Sequence, residues 1–206
     1  MNSRRLFPLF LKLDNRKCLV VGGTSLLVPK IQALTETGAS VRVVATELDA
    51  EFRALAAEGR VSIDQRRFEA RDLEGVVLVI AADRDQSLNE FVSREAQARG
   101  VLCNVVAQPA LCQFYYPAIV RRGQLQIAIS TGGSSPSLAS AIRADLEQQF
   151  HPEYAEWVAA LGAARDRILR THPPSERRTR LLKRISTKTA LQQFRSSREA
   201  RGKGAI

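Results

Sequence analysis

A chain of 206 residues, 45% hydrophobic and 25% charged, is long enough for one α/β domain plus a smaller appendage and apolar enough to bury a core. No apolar run approaches the roughly 20 residues of a bilayer span. The opening MNSRRLFPLFLKLDNRK is broken by Pro8, Lys12 and Asp14 before a signal-peptide core can form, so a cytoplasmic protein without membrane contact is expected. The net charge of +10 is uneven: residues 151–206 hold 13 Lys or Arg against 5 Asp or Glu and so carry +8 of it. A solvated helical face is the ordinary reading of such a tail and a polyanion site the other; no nucleic-acid reader motif accompanies it, so nucleic acid is not expected.

The first element, Lys17 to Val21, is a short apolar run ending in Gly22-Gly23. The stretch VVGGTSLLVPK opens like a dinucleotide-binding βα turn, and helical spacing follows from Lys30 through Ile31 and Leu34 to a stop at Gly38. Pro29 fits that helix only if the helix begins later than Ser25, because inside a helix its missing N–H and its ring cost about 3 kcal/mol. Ser40 to Ala45 is a β-branched strand ending at Thr46-Glu47, with a helix from Leu48 to Ala57 closing at Gly59. Val61 to Ile63 reads as a third strand. Gly75 to Ala82 is almost uniformly apolar, as in a strand covered on both faces of a parallel sheet. A helix from about Ser87 to Arg99 leads into a further buried strand, Val101 to Val106.

Strands and helices alternating at this spacing imply βαβ units in a Rossmann-like, doubly wound parallel sheet, whose ligands sit beyond the carboxyl ends of the strands. Those ends are Gly22-Gly23, Ala45-Thr46-Glu47, Ala81-Ala82-Asp83 and Val106-Ala107-Gln108, all small or polar.

After Pro109 the alternation stops. Ala118-Ile119-Val120, a turn at Arg121-Arg122-Gly123 and Leu125 to Ile129 form a hairpin. Ser130-Thr131-Gly132-Gly133 then precedes a helix from Leu138 to Phe150, with Ser135 as N-cap and Pro136 at the first helical position. The glycines and free N–H groups ahead of that cap suit an anion cradle. His151-Pro152 breaks the chain, Glu153 to Arg170 is helical with Tyr154, Trp157, Val158, Leu161, Ile168 and Leu169 as its apolar stripe, and Pro173-Pro174 breaks it again. Arg177 to Ile185 is a last helical piece before a frayed end, SSREARGKGAI. His151 and His172, beside prolines, read as surface or capping residues; Cys18, Cys103 and Cys112 read as buried thiols without metal-ligand spacing, so no metal site is expected.

Five segments in order, LFPLFLKLDNRKCLVVGG, VIAADRDQSLN, CNVV followed two residues later by Pro109, FYYPAIV and ISTGGSSPSLA, resemble the precorrin-2 dehydrogenase/sirohydrochlorin ferrochelatase family of siroheme synthesis. The resemblance implies an NAD-binding Rossmann domain over residues 1–112, a central dimerisation segment over 113–150 and a basic helical domain over 151–206, assembled as a homodimer. It implies NAD-dependent oxidation of precorrin-2, an anionic tetrapyrrole, to sirohydrochlorin, with ferrous iron as a second substrate in members that also chelate. Some members are fused to a methyltransferase domain; these 206 residues hold none, so methylation is not expected of them.

Carried over residue by residue, the resemblance assigns the cofactor to Gly22, Gly23, Thr24, Ser25, Leu26, Thr46, Glu47, Ala81, Ala82, Asp83, Asn89 and Val105, and the substrate to Asn104, Ser130, Thr131, Gly132 and Gly133. In the first turn Thr24 and Leu27 add bulk where the family prefers small residues, with Thr24 able to cap the helix or meet a phosphate, and Pro29 replaces a basic residue. Glu47 would accept a ribose hydroxyl and favour NAD over NADP; the other reading is a solvent-exposed helix acid. The family's aspartate after N-V-V is replaced by Ala107, which can neither take a proton nor steer a metal ion, so chelation is expected to be weakened. The alternative is a catalytically degenerate paralogue that binds tetrapyrrole or dinucleotide without turnover.

Overall fold

The computed structural model describes residues 5–57 and 59–203. The chain divides into two compact units, Met1–Tyr116 and Pro117–Ile206. No described helix is long and apolar enough to cross a membrane.

In the first unit, β1 (Lys17–Val21), β2 (Ser40–Val44), β3 (Ser62–Asp64), β4 (Val76–Ala81) and β5 (Leu102–Val105) form one parallel sheet in the order β3-β2-β1-β4-β5. β1 pairs with β2 from Lys17 opposite Ser40 to Val21 opposite Val44, and with β4 on its other side up to Val21 opposite Ala81. The alternation of side chains along each strand sends one set to each face. Cys18, Val20, Val43 and Ile80 pack with Ile31 and Leu34 of helix α1 (Val28–Thr35) and with Phe52 and Leu55 of α2 (Ala50–Ala57). Leu19, Val21, Val79 and Val105 face the opposite way, against Val92 and Ala96 of α3 (Gln86–Ala98). Both faces are therefore covered, which is why β4 is apolar at every position. Each fully buried Val, Leu, Ile or Phe in these layers contributes about 1.5–3 kcal/mol.

The edge of the sheet is tied by charge. Asp72, in a 3-10 turn at Ala70–Leu73, is 2% exposed and takes two hydrogen bonds from Arg66, at 2.6 and 2.9 Å, with Arg42 at 3.4 Å. Burial alone would raise its carboxyl. The Arg66 bonds, the Glu69 N–H and the fields of both arginines outweigh burial and hold the carboxyl below the ordinary aspartate value.

Helix α1 starts at Val28 after a single 3-10 turn at Ser25–Leu27, so Pro29 occupies its first turn, where no N–H is required. Leu27 is fully buried beside Ile31, so its bulk fills the core and leaves the turn clear.

In the second unit, β6 (Ala118–Arg122) and β7 (Leu125–Ile129) pair antiparallel. Arg121 and Arg122 are strand residues opposite Gln126 and Leu125, and the reversal falls at Gly123-Gln124, one step later than expected. Gly123 turns with φ 57° hard against Ala155. Arg122, expected in that turn, ends β6, and its guanidinium donates to the carbonyls of Phe150 at 2.6 Å and Glu147 at 3.1 Å, closing the end of α4. Helix α4 (Pro136–Gln149) begins as expected, the Ser135 hydroxyl accepting the Leu138 N–H at 3.2 Å.

Helices α5 (Glu153–Thr171), α6 (Glu176–Ile185) and α7 (Lys188–Lys203) follow. The expected frayed end is helical as far as Lys203, and its last three residues lie outside the described ones. α7 is held by Phe194, whose ring is 5.2 Å from Trp157, and by Arg195, which donates to Glu153 at 2.7 Å. Leu169 is 37% exposed and drops out of the apolar stripe of α5. His172 caps the end of α5, its ring 2.9 Å from the Thr171 hydroxyl, and His151 is exposed, as their places beside prolines suggested.

Candidate functional site

The carboxyl ends of β1, β2 and β4 border a cavity of about 260 Å³, lined by Gly23 and Thr24, by Thr46, Glu47 and Asp49, and by Asp83, Arg84 and Asp85. The two glycines are dictated by packing. Gly22 sits at φ 106°, and a Cβ there would lie 2.5 Å from the Ala82 carbonyl oxygen. A Cβ on Gly23 would collide with the Glu47 carbonyl. The turn after β1 is thus pressed between the loops after β2 and β4.

Thr24 does not cap the helix. Its hydroxyl donates to the Ala82 carbonyl at 3.2 Å and ties the turn to the end of β4. Ser25 and Leu26 are exposed, Leu26 by 66%. The Ser25 N–H donates to the Asp49 carboxylate at 2.8 Å, and the Asp49 N–H donates to the Gly23 carbonyl at 2.9 Å. Thr46 and Glu47 are exposed; Glu47 lies 3.5 Å from Arg84, whose other nitrogen is 3.4 Å from Asp49. Asp49 and Arg84 escaped the sequence reading because their pairing requires the β2 and β4 loops to meet, although an acid just ahead of Ala50-Glu51 is a helix-start signal.

Asn89 is buried and positions Asp83 from behind. Its amide accepts the Asp83 N–H at 3.0 Å and donates to the Asp83 carbonyl at 2.9 Å, as a neighbouring strand would. The Asp83 carboxylate accepts the Asp85 N–H at 2.9 Å, and the Asp85 carboxylate caps α3 through Ser87, at 2.6 Å from the hydroxyl and 2.9 Å from the N–H. The Ser87 hydroxyl bond, ahead of smaller backbone contributions, holds the Asp85 carboxyl below its ordinary value. Ala81 and Ala82 are buried and leave the crevice floor flat.

A second, smaller cavity of about 140 Å³ lies at the end of β5, lined by Asn104 to Pro109 together with Lys30, Cys112, Tyr115 and Tyr116. Ala107 is exposed at φ 62°, the left-handed region that disfavours a Cβ, in a turn closed by the Gln108 N–H donating to Val105 at 3.1 Å. The Cys112 sulfur takes the Val105 N–H at 3.3 Å and sits 3.3 Å from the Gln108 carbonyl, pinning the turn from below. Burial raises its thiol, and it raises the Cys103 thiol to about 12; neither is a ready nucleophile. Asn104 is buried, with its amide donating to the Phe114 carbonyl at 2.8 Å and to Cys112 at 3.4 Å. Lys30 places Nζ 4.6 Å from the centre of the Tyr116 ring, and burial lowers its ammonium below the ordinary lysine value. Lys30 and Tyr116 were not singled out from the sequence, since nothing in their spacing links them.

In the second unit, the loop before α4 is held by its own hydroxyls. Thr131 donates to the Ser135 carbonyl at 2.9 Å and accepts its N–H at 3.1 Å; Ser130 accepts the Gly132 N–H at 3.2 Å. The N–H groups expected to be free at Gly132, Ser134 and Ser135 are therefore engaged within the loop. Gly132 and Gly133, at φ 64° and 85°, stand exposed at its tip, where a Cβ would meet nothing within 4 Å. Among the described residues no group of His, Cys, Asp or Glu is arranged to hold a metal ion.

Comparison with known proteins places this arrangement. A family model of NAD(P)-binding proteins matches residues 9–118, more than half the chain, and a model of the central part of sirohaem biosynthesis proteins matches residues 122–149. The chain belongs to the siroheme-synthase family. The siroheme synthase of Pseudomonas entomophila is 43% identical over 171 residues, 83% of this chain and 37% of that protein. The siroheme synthase of Thioalkalivibrio sulfidiphilus is 38% identical over 193 residues, 94% of this chain and 40% of that protein. The chain thus spans about two fifths of the curated relatives it matches. Among solved structures, SirC, a precorrin-2 dehydrogenase, superposes with a TM-score of 0.75 at 29% identity, covering 89% of this chain and 90% of that one.

The crevice fits a dinucleotide in shape. Gly22 and Gly23 give a flat turn, Glu47 lines the crevice beyond the end of β2, and the buried Asn89 holds the Asp83 backbone at the crevice edge.

Proposed function

We propose that the chain oxidises precorrin-2 to sirohydrochlorin with NAD as hydride acceptor, as a homodimer in the cytoplasm. The observation that carries this reading is the likeness to SirC over nine tenths of both chains, joined to a crevice whose shape suits the cofactor. In this reading Gly22, Gly23 and Ser25 face the pyrophosphate, Thr46 and Glu47 the adenosine ribose, and Asp83 and Val105 the path toward the nicotinamide. Bound NAD supplies the electron sink, and the protein's share is to hold cofactor and substrate at the right distance.

Lys30 offers a cation, steadied on Tyr116, to a substrate carboxylate. Ala107 offers no proton acceptor, so the proton released on oxidation leaves to solvent, and ferrous iron insertion lacks its carboxylate. Dimerisation is supported by the second unit: among its described residues only Val120 and Ala139 are buried, and a two-stranded hairpin is marginal by itself.

Two observations favour a second reading, a chain that binds without turning over: the methyl group at position 107 and the carboxylate on the Ser25 N–H. The test is to mix the protein with NAD and precorrin-2 and follow sirohydrochlorin absorbance, beside Ala107→Asp. Turnover by the natural chain, increased in the variant, is expected; tetrapyrrole binding without colour change in either protein would support the second reading, and equal rates would remove position 107 from the chemistry.

A further inference from the structure

The N–H groups at a βα turn are where a Rossmann crevice receives phosphate. In this chain one of them is already taken: the Ser25 N–H holds the Asp49 carboxylate at 2.8 Å. Around it the cavity carries four carboxylates, on Glu47, Asp49, Asp83 and Asp85, against the single guanidinium of Arg84. We propose that Asp49 guards the phosphate subsite, so that a dinucleotide enters by displacing this carboxylate and taking over both the Ser25 N–H and Arg84.

A carboxylate and a phosphate oxygen cannot share that N–H, and both being negative they repel at contact distance. Displacement is locally simple. The Asp49 N–H bond to the Gly23 carbonyl, 2.9 Å, keeps the loop in place while the side chain rotates about its first torsion. Arg84 is held by two long contacts, 3.4 Å to Asp49 and 3.5 Å to Glu47, and is 73% exposed, so its present pairs are weak and exchangeable. Affinity for the phosphates is thereby lowered while affinity for the uncharged adenosine is left alone. The inference rests on the dinucleotide reading of the crevice and concerns how tightly that crevice holds its cofactor.

Calorimetric titration of adenosine, ADP and NAD into the natural protein, Asp49→Ala, Asp49→Asn and Arg84→Ala, at one ionic strength, tests it. The ratio of ADP to adenosine affinity is expected to rise about tenfold in Asp49→Ala, the scale of one charged hydrogen bond released to the ligand. Asp49→Asn, which keeps a neutral acceptor and the geometry of the loop, is expected to raise it less, and Arg84→Ala to lower it. An unchanged ratio in both Asp49 variants, with adenosine still bound, overturns the guard and leaves the dinucleotide reading intact. Failure of every protein to bind any of the three ligands overturns both.

Discussion

Ala107 is the residue on which sequence and geometry meet most directly. Its left-handed backbone, φ 62°, is tolerated by glycine and more readily by aspartate or asparagine than by alanine. Ala107→Gly is therefore expected to stabilise the protein by about 0.5–1 kcal/mol in chemical denaturation, and a loss of stability would mean the turn does not keep its left-handed form in solution. Ala107→Asp should cost no stability, so its effect on turnover can be read without a folding correction. The loss of the carboxyl was legible in the sequence; the strained backbone was not, because φ at this position is fixed by the Gln108 N–H bond and by the Cys112 sulfur beneath the turn.

Hydroxyl groups were the least legible residues. Thr24, Ser130 and Thr131 each looked available to a ligand, and each makes a hydrogen bond with the protein's own backbone. A hydroxyl takes whichever carbonyl or N–H the tertiary fold brings near, which composition and spacing do not encode.

At the scale of elements the sequence was far more readable. The runs of β1, β2, β4 and β5 are short and mostly apolar and alternate with helical spacing, so the strands and their parallel, doubly covered sheet follow from pattern alone. Pro29 even marks where α1 starts, once the 3-10 turn ahead of it is allowed for. Helix starts were equally clear where a cap is local. Ser135→Ala removes the hydroxyl that accepts the Leu138 N–H and should cost about 1 kcal/mol in thermal or chemical unfolding. An unchanged midpoint would show that the start of α4 is held by Pro136 and the loop alone.

The link from β2 through β3 to the Ala70–Leu73 turn was invisible, because Arg42 lies 30 residues ahead of Asp72 and all three charges, Arg66 included, read as ordinary surface charges. Its pH dependence has a definite sign. The folded Asp72 carboxyl lies below its unfolded value, so its contribution is complete above the unfolded value of about 3.9 and is lost as pH falls through the lower folded value. Asp72→Asn should cost about 2–3 kcal/mol near neutral pH, by leaving Arg66 without its partner. The gap between the two proteins in urea midpoint should then narrow below about pH 4. A gap independent of pH would place the effect in packing.

Across the whole molecule, the first unit buries nearly all of the core and the second unit almost none. On the face of the hairpin away from Val120, Ile119 stands opposite Ala128. If the second unit completes itself against another copy, Ile119→Lys should shift the sedimentation profile from dimer toward monomer at micromolar concentration, while the first unit keeps its fold by circular dichroism. A monomeric natural protein at the same concentration would remove the assembly from the proposal. The basic tail, legible as charge and as two helices, carries a third, Lys188–Lys203, with Trp157 and Phe194 supplying an aromatic contact across 37 residues that no local pattern foretells.

Gly22 and Gly23 carry a consequence for how such chains drift. Their missing side chains make room for the carbonyls of Ala82 and Glu47, so folding alone opposes any side chain at either position. Positions that answer only to a ligand have no such protection and wander first. A chain that lost its reaction would still need the pair in order to fold, so the glycines by themselves report folding, and the chemistry is read at positions such as 107.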